Sequence, residues 1–264
     1  MTATNDKGES MITITPKPAA LGATVTGVDL RDALDAETVA AVRDAFVRYE
    51  VLFFPEARLT PAEQVRFGRV FGELQCHAAL DALADIPEVV VFDTAQRAAT
   101  AEWWHSDVTC APEPPMGAVL QMVVAPPAGG ATHWASMTAS YDALDDKMKG
   151  RLAPLHARHR SWWQPVQESV HPVVRTHPEN GRKGLYVNGI FTKRIVELDE
   201  TESDELLQFL YEHATRDEFT VRHDWHAGDI AFWDNRSTQH RVDNDFGDHR
   251  RCGHRIAIDG DAPR

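Results

Sequence analysis

The C-terminal end of this chain constrains its fold more than any other part. FTVRHDW, DIAFWDN, STQHRV and HRIAID follow one another with Gly or Asp at the turns, and each is short and rich in β-branched and aromatic residues. Upstream, MITITP (11–16) alternates with period two, and ATVTGVDL (23–30) does so more weakly. VLFFP (51–55), VVVFDT (89–94), GAVLQMVV (117–124), ATHWAS (131–136), HPVVRTH and GLYVNG (184–189) read as further strands. Many short strands with a few helices between them predict a mostly β chain with flanking helices, a barrel-like double sheet rather than a parallel α/β sheet. No glycine-rich fingerprint joins a strand to a helix, so P-loop or dinucleotide geometry has no support.

The helices announce themselves through their caps. Asp35 can cap a helix to about residue 49, with Val39, Val42, Ala45 and Phe46 on one face. Thr60-Pro61-Ala62-Glu63 combines a capping box with proline at the first helical position, opening a helix to about Phe71. A helical region of about 138–153 follows, and Thr201 with Asp204 forms a capping pattern ahead of ELLQFLYEHA. HARHRSWWQPVQES (156–169) is the least regular stretch. Residues 1–9 are expected to be a disordered tail and 10–264 a single domain, since no linker-like break or repeat interrupts the chain.

A formal net charge of −13 lacks the electrostatic footprint of a nucleic-acid binder. No apolar run approaches the roughly 18 residues that span a bilayer, and the polar start MTATNDKGES has no signal-peptide core. Cys76, Cys110 and Cys252 fit neither a disulfide framework nor a zinc motif. Free thiols suit a reducing compartment, so the expectation is cytoplasmic.

The chemistry concentrates in AEWWHSDVTC (101–110), where His105 and Asp107 lie two positions apart. In an extended strand such residues share a face, so an imidazole and a carboxylate would converge on one point. Two histidines and one carboxylate with open positions form the ligand set of non-haem Fe(II) oxygenases, and His240 in DNRSTQHRVDND is the best candidate for the second histidine. Downstream, Arg251 and Arg255 in HRRCGHRIAID would share a strand face, with Gly253 leaving room between them. The planar guanidinium fork suits a buried carboxylate or sulfonate. A cupin-like protein that binds metal and acid without turnover, and a zinc hydrolase, stand beside the oxygenase at this point; zinc prefers a ligand set richer in nitrogen or sulfur.

With WHSDVT (104–109), GGATHWASM (129–137), HPVVRTHPENGRKGLYVNGIFTKRIVEL (171–198) and WDNRSTQHRVDNDFGDHRRCGHRIAIDGD (233–261) taken together, the chain resembles the taurine dioxygenase (TauD/TfdA) family of Fe(II)- and 2-oxoglutarate-dependent dioxygenases. The resemblance implies a double-stranded β-helix (jelly roll, cupin-like) core and a homo-oligomer, dimer or tetramer. It assigns His105, Asp107 and His240 to the iron, Arg251 and Thr132 to the distal carboxylate of 2-oxoglutarate, and Arg255 and His77 to the substrate. O2 is the second cosubstrate. The implied reaction hydroxylates a C–H bond of a small anionic organic substrate, carboxylate or sulfonate, while 2-oxoglutarate becomes succinate and CO2. C–heteroatom cleavage, or oxidative tailoring of an amino-acid-derived intermediate, belongs to the same chemistry.

Departures from the family pattern fall in the substrate pocket. Thr100-Ala101 replaces an Asp-Asn pair, Leu80 replaces a tyrosine, and a shortened lid segment carries Trp162 and Trp163. Asn235 and Gln239 flank His240 as groups that could steady the ligands. Trp103, Trp104, Trp134, Trp225 and Trp233 read as core aromatics.

Overall fold

The computed structural model describes residues 12–77, 79–96 and 101–264. The expected tail at 1–9 and Thr100 lie outside them. The chain opens with β1 (Thr13–Pro16), β2 (Ala23–Thr26), α1 (Ala36–Tyr49), β3 (Val51–Phe54) and α2 (Pro61–Arg69). Two short strands, β4 (Leu74–Gln75) and β5 (Ala82–Leu83), lead to β6 (Ile86–Asp93) and β7 (Gly117–Val124). After β8 (Thr132–Ser136) come α3 (Met137–Asp142), α4 (Asp146–Leu152) and the pair β9 (His156–Arg160) and β10 (Glu168–Pro172). Next are β11 (Val174–Thr176), β12 (Lys183–Leu185), β13 (Thr192–Ile195) and α5 (Glu200–Ala214). The final strands are β14 (Thr220–His223), β15 (Ile230–Asp234), β16 (Thr238–Val242) and β17 (Cys252–Ile258).

A large sheet runs β1-β2-β3-β15-β7-β17-β6-β5, with β4 also paired to β17, and a smaller sheet runs β14-β8-β16. The continuously apolar central strands are explained by their two buried faces. In β3, Val51 and Phe53 face one core and Leu52 and Phe54 the other. In β15, Ala231 and Trp233 alternate in the same way with Ile230 and Phe232. The Phe53 and Trp233 side meets Trp134 of β8, Val221 of β14 and Trp225, filling the space between the two sheets. Against the opposite face pack Val42 and Phe46 of α1 and Val65 and Phe67 of α2. Each fully buried Phe or Leu contributes about 1.5–3 kcal/mol over its exposed state. This double sheet with helices outside is the expected jelly-roll arrangement.

Both early helices start where their caps predict. Asp35 accepts from Thr38 N, and Thr60 and Glu63 complete a reciprocal capping box. α5 begins earlier than expected, because Asp199 rather than Thr201 accepts the backbone N–H, that of Glu202. The 156–169 stretch, expected to be irregular, holds β9 and the first two residues of its partner β10, with Ala157 and His159 turned inward between exposed polar residues. GLYVNG is strand only as far as Leu185.

Candidate active site

His105 and His240 are joined by backbone before their side chains meet. His105 N donates to His240 O at 3.1 Å and His240 N to His105 O at 2.8 Å, an isolated antiparallel bridge between the 105 region and β16. Their rings stand 4.3 Å apart between centroids. Asp107 reaches the same point by another route than the expected strand. The chain turns over 107–110, with Val108 at φ 52°, a left-handed conformation that costs a β-branched residue about 1–3 kcal/mol. Asn235 holds this turn: Asp107 N donates to Asn235 Oδ1 at 2.6 Å, and Asn235 Nδ2 donates to Asp107 O at 2.9 Å and to Pro115 O at 3.0 Å.

Among the described residues, His105, Asp107 and His240 are the group whose donor atoms lie close enough to hold a metal, all within 4.8 Å of one another. The unused polar atoms agree with such an ion. His105 Nδ1 donates to Trp103 O at 2.8 Å, which leaves its Nε2 lone pair for the site. Asp107 Oδ2 is buried without a hydrogen-bond partner. Burial alone would raise the Asp107 carboxyl, but Arg255 and the two imidazoles bring it down to about 2. Burial pulls His240 down to about 3, aided by His105, so the ring is neutral and able to ligate. Two neutral imidazoles and one ionised carboxylate are a donor set that fits Fe(II).

Arg251 lies one residue before β17, and a register shift between Cys252 and Gly253 separates it from Arg255. Both arginines line one cavity of about 400 Å³ together with His105, Asp107 and His240. Arg251 Nε donates to Gly130 O at 3.1 Å and Nη2 to Thr132 Oγ1 at 3.3 Å. Gly130 adopts φ +70°, and a Cβ there would come within 3.2 Å of Arg251 Cδ, so glycine is needed for this approach. With two neutral oxygens as its side-chain acceptors, the buried guanidinium is pulled down to about 10 by burial. Such a cation is stabilised by any carboxylate that enters.

Thr132 Oγ1 accepts from both Arg251 and Trp225 Nε1, the latter at 2.8 Å, so its own hydrogen is free to donate. Arg255 departs from the sequence picture of a free anion-binding group, since its Nη1 donates to Asp107 Oδ1 at 2.6 Å. His77 lines the cavity against Trp163, with ring centroids 5.5 Å apart. Its Nδ1 accepts from Ala79 N at 3.1 Å, which places the proton of the neutral ring on Nε2.

The structure therefore brings all seven candidate residues to one cavity. The orienting role of Trp225 was not legible in the sequence, where it read only as a core aromatic. Trp103, also expected in the core, is 73% exposed on the cavity rim. Trp162 and Trp163 line the same cavity, the first exposed and the second buried. No helix of the described residues is long and apolar enough to cross a membrane.

Residues 13–257 match the family described as taurine catabolism dioxygenase TauD, TfdA family. The chain is 35% identical to an alkylsulfatase of Acinetobacter baylyi, over 91% of this chain and 83% of that protein. It is also 35% identical to an alpha-ketoglutarate-dependent sulfate ester dioxygenase of Pseudomonas putida, over 94% and 89%. A crystal structure of a taurine dioxygenase from Burkholderia xenovorans superposes with a TM-score of 0.89 at 40% identity, covering 96% of this chain and 90% of that one. The fold, the convergent donor set and these likenesses agree: the chain belongs to the TauD/TfdA family and is an Fe(II)- and 2-oxoglutarate-dependent dioxygenase.

Proposed function

We propose that this enzyme hydroxylates a C–H bond of a small organic anion, a carboxylate, sulfonate or sulfate ester, held beside the iron by Arg255 and His77. The observation that carries the reading is a single cavity in which three neutral-or-anionic candidate metal donors face a buried arginine whose side chain has no carboxylate partner among the described residues. His105 through Nε2, Asp107 through Oδ2 and His240 hold the iron. Arg251 takes the distal carboxylate of 2-oxoglutarate in its fork, and the free hydroxyl hydrogen of Thr132 donates to the same group. When bound, Fe(II) with O2 and 2-oxoglutarate supplies the oxidising chemistry, and 2-oxoglutarate leaves as succinate and CO2.

The protein's own part is orientation and exclusion of water. Arg255 keeps Asp107 ionised and aims it, while the remaining N–H groups of its guanidinium and the Nε2–H of His77 donate to the oxygens of the substrate anion. Where the hydroxylated carbon carries a sulfate oxygen, the product collapses to an aldehyde or ketone and releases sulfate, so C–O cleavage follows from the same step. Anaerobic titration with Fe(II) and 2-oxoglutarate tests the site: a weak visible charge-transfer band is expected with the wild type and none with His105→Ala. A band that survives in that variant overturns the ligand assignment. Succinate formed with an added organic anion, and absent without iron, tests the turnover.

A further inference from the structure

The cavity walls say more about the substrate than its anionic end. Trp103 and Trp162 are the two most exposed large apolar side chains among the described residues, at 73% and 68%, ahead of Val170 at 53%. A single exposed apolar residue is ordinary. Here two indoles from separate segments line the rim of one cavity, continuous with Leu80, Phe92, Trp163 and Phe191. The rings are connected inward. Trp162 meets Trp163 edge-on at 5.5 Å and 86°, and Trp163 packs against His77 at 5.5 Å and Phe191 at 5.8 Å. An aromatic path thus runs from the anion-binding histidine to solvent.

The charges in the wall limit the rest of the ligand. Among the described residues of the wall, Arg251 serves the cosubstrate and Arg255 is shared with Asp107, so one anionic group beside the metal takes up the positive charge they offer. For an ammonium group the wall offers little. Among the described residues its carboxylates are Asp107, a candidate metal donor, and Asp93, which Arg250 holds at 3.0 and 2.8 Å. A zwitterionic substrate would leave its cation unpaired at an apolar surface.

We propose that Trp103 and Trp162 form an aromatic mouth that grips a hydrocarbon body, so that the substrate is an anion with one charged head and an extended apolar tail. This rests on the anion-oxidising reading above and names the substrate class for it. Trp103 is tied to the chemistry as well, because its carbonyl accepts the Nδ1–H of His105 while its indole stands at the rim.

The test uses the full chain loaded with Mn(II) and 2-oxoglutarate, titrated calorimetrically with ethyl, butyl, hexyl and octyl sulfate and with taurine. Binding is expected to tighten with length, by about fourfold per buried methylene, and taurine is expected to bind weakly. Trp103→Ala and Trp162→Ala are each expected to weaken octyl sulfate by roughly tenfold, with a loss that shrinks as the chain shortens. Trp103→Phe and Trp162→Phe should restore most of it, and thermal melting should stay unchanged in every variant. Equal affinity across the series, equal losses for ethyl and octyl sulfate, or no binding by any alkyl sulfate would overturn the mouth. Succinate release with Fe(II) and O2 separates the two readings. Length- and tryptophan-dependent binding without succinate sinks the oxidation and keeps the mouth; taurine-driven succinate as fast as octyl sulfate keeps the oxidation and sinks the mouth.

Discussion

Arg255 and Asp107 are 148 positions apart in the chain, yet Arg255 Nη1 donates to Asp107 Oδ1 at 2.6 Å, both residues buried. The pair divides the carboxylate: one oxygen is bound to the guanidinium, and Oδ2 has no hydrogen-bond partner among the described residues. On the proposed reading Arg255 has two tasks, aiming the metal donor Asp107 and presenting its remaining N–H groups to the substrate.

Removing Arg255 should injure both. Arg255→Ala leaves a buried carboxylate without its counter-charge, a change worth about 3–5 kcal/mol. Mn(II) affinity measured by titration is expected to fall together with substrate affinity. Arg255→Lys should recover metal binding more fully than substrate binding, because a point charge can pair with Asp107 but cannot also present a planar fork. Unchanged Mn(II) affinity in Arg255→Ala would contradict the shared role.

Asn235 carries a separable prediction. Its amide satisfies both backbone groups of Asp107 across 128 positions of sequence. Asn235→Ala should cost about 1–3 kcal/mol for the unsatisfied groups. A tenfold to hundredfold loss of metal affinity is also expected, about the range for groups that steady a ligand. Chemical denaturation and metal titration on the same variant measure the two effects.

For the cosubstrate, Arg251→Lys and Thr132→Val should each raise the 2-oxoglutarate KM. About tenfold or more is expected for the arginine, whose bidentate fork lysine cannot reproduce. Metal affinity should not change, since neither side chain contributes to the donor set. A metal defect in either variant would place these residues elsewhere.

Glu50, away from the metal, predicts a pH effect on stability. It is buried, receives a hydrogen bond from Thr138 Oγ1, has Arg182 Nη1 3.5 Å from Oε1, and leaves Oε2 without a hydrogen-bond partner among the described residues. Burial is the largest influence and raises the carboxyl to about 7. Between the ordinary glutamate value and about 7 the fold keeps a proton that the unfolded chain has lost, so stability falls as pH rises, by about 3 kcal/mol in all. Glu50→Gln should therefore stabilise the protein at pH 8 and have little effect at pH 4. Urea midpoints across that range check the sign.

What could be read from the sequence was local or periodic. The Asp35 and Thr60 caps depend on residues within one helical turn, and the twofold-buried strands VLFF and GAVLQMVV announce themselves by continuous apolarity. α5 was misplaced at its start because Asp199 and Thr201 both offer capping patterns, and only the backbone geometry chooses. β9 stayed hidden because its exposed positions are His156 and two arginines, and its inward pair, Ala157 and His159, is only weakly apolar. The candidate metal donors were identifiable as residue types, but not the turn at Val108 or the Arg255–Asp107 pair, since each depends on contacts between distant segments. Trp103 read as core because indoles usually are, and nothing in its neighbours distinguished a rim from an interior.

The backbone bridge between His105 and His240 has a consequence for the order in which the molecule is made. Synthesis delivers His240, Arg251 and Arg255 well after the 105 region, which gains its partner strand when β16 arrives. Until then His105 has no second histidine and Asp107 lacks both Asn235 and Arg255. Contacts of such long sequence separation form late, after the loop-closure cost has been met. On the proposed ligand assignment, a nascent or clipped chain that lacks β16 is expected not to assemble the iron centre, so that metal capture would report completion of the fold.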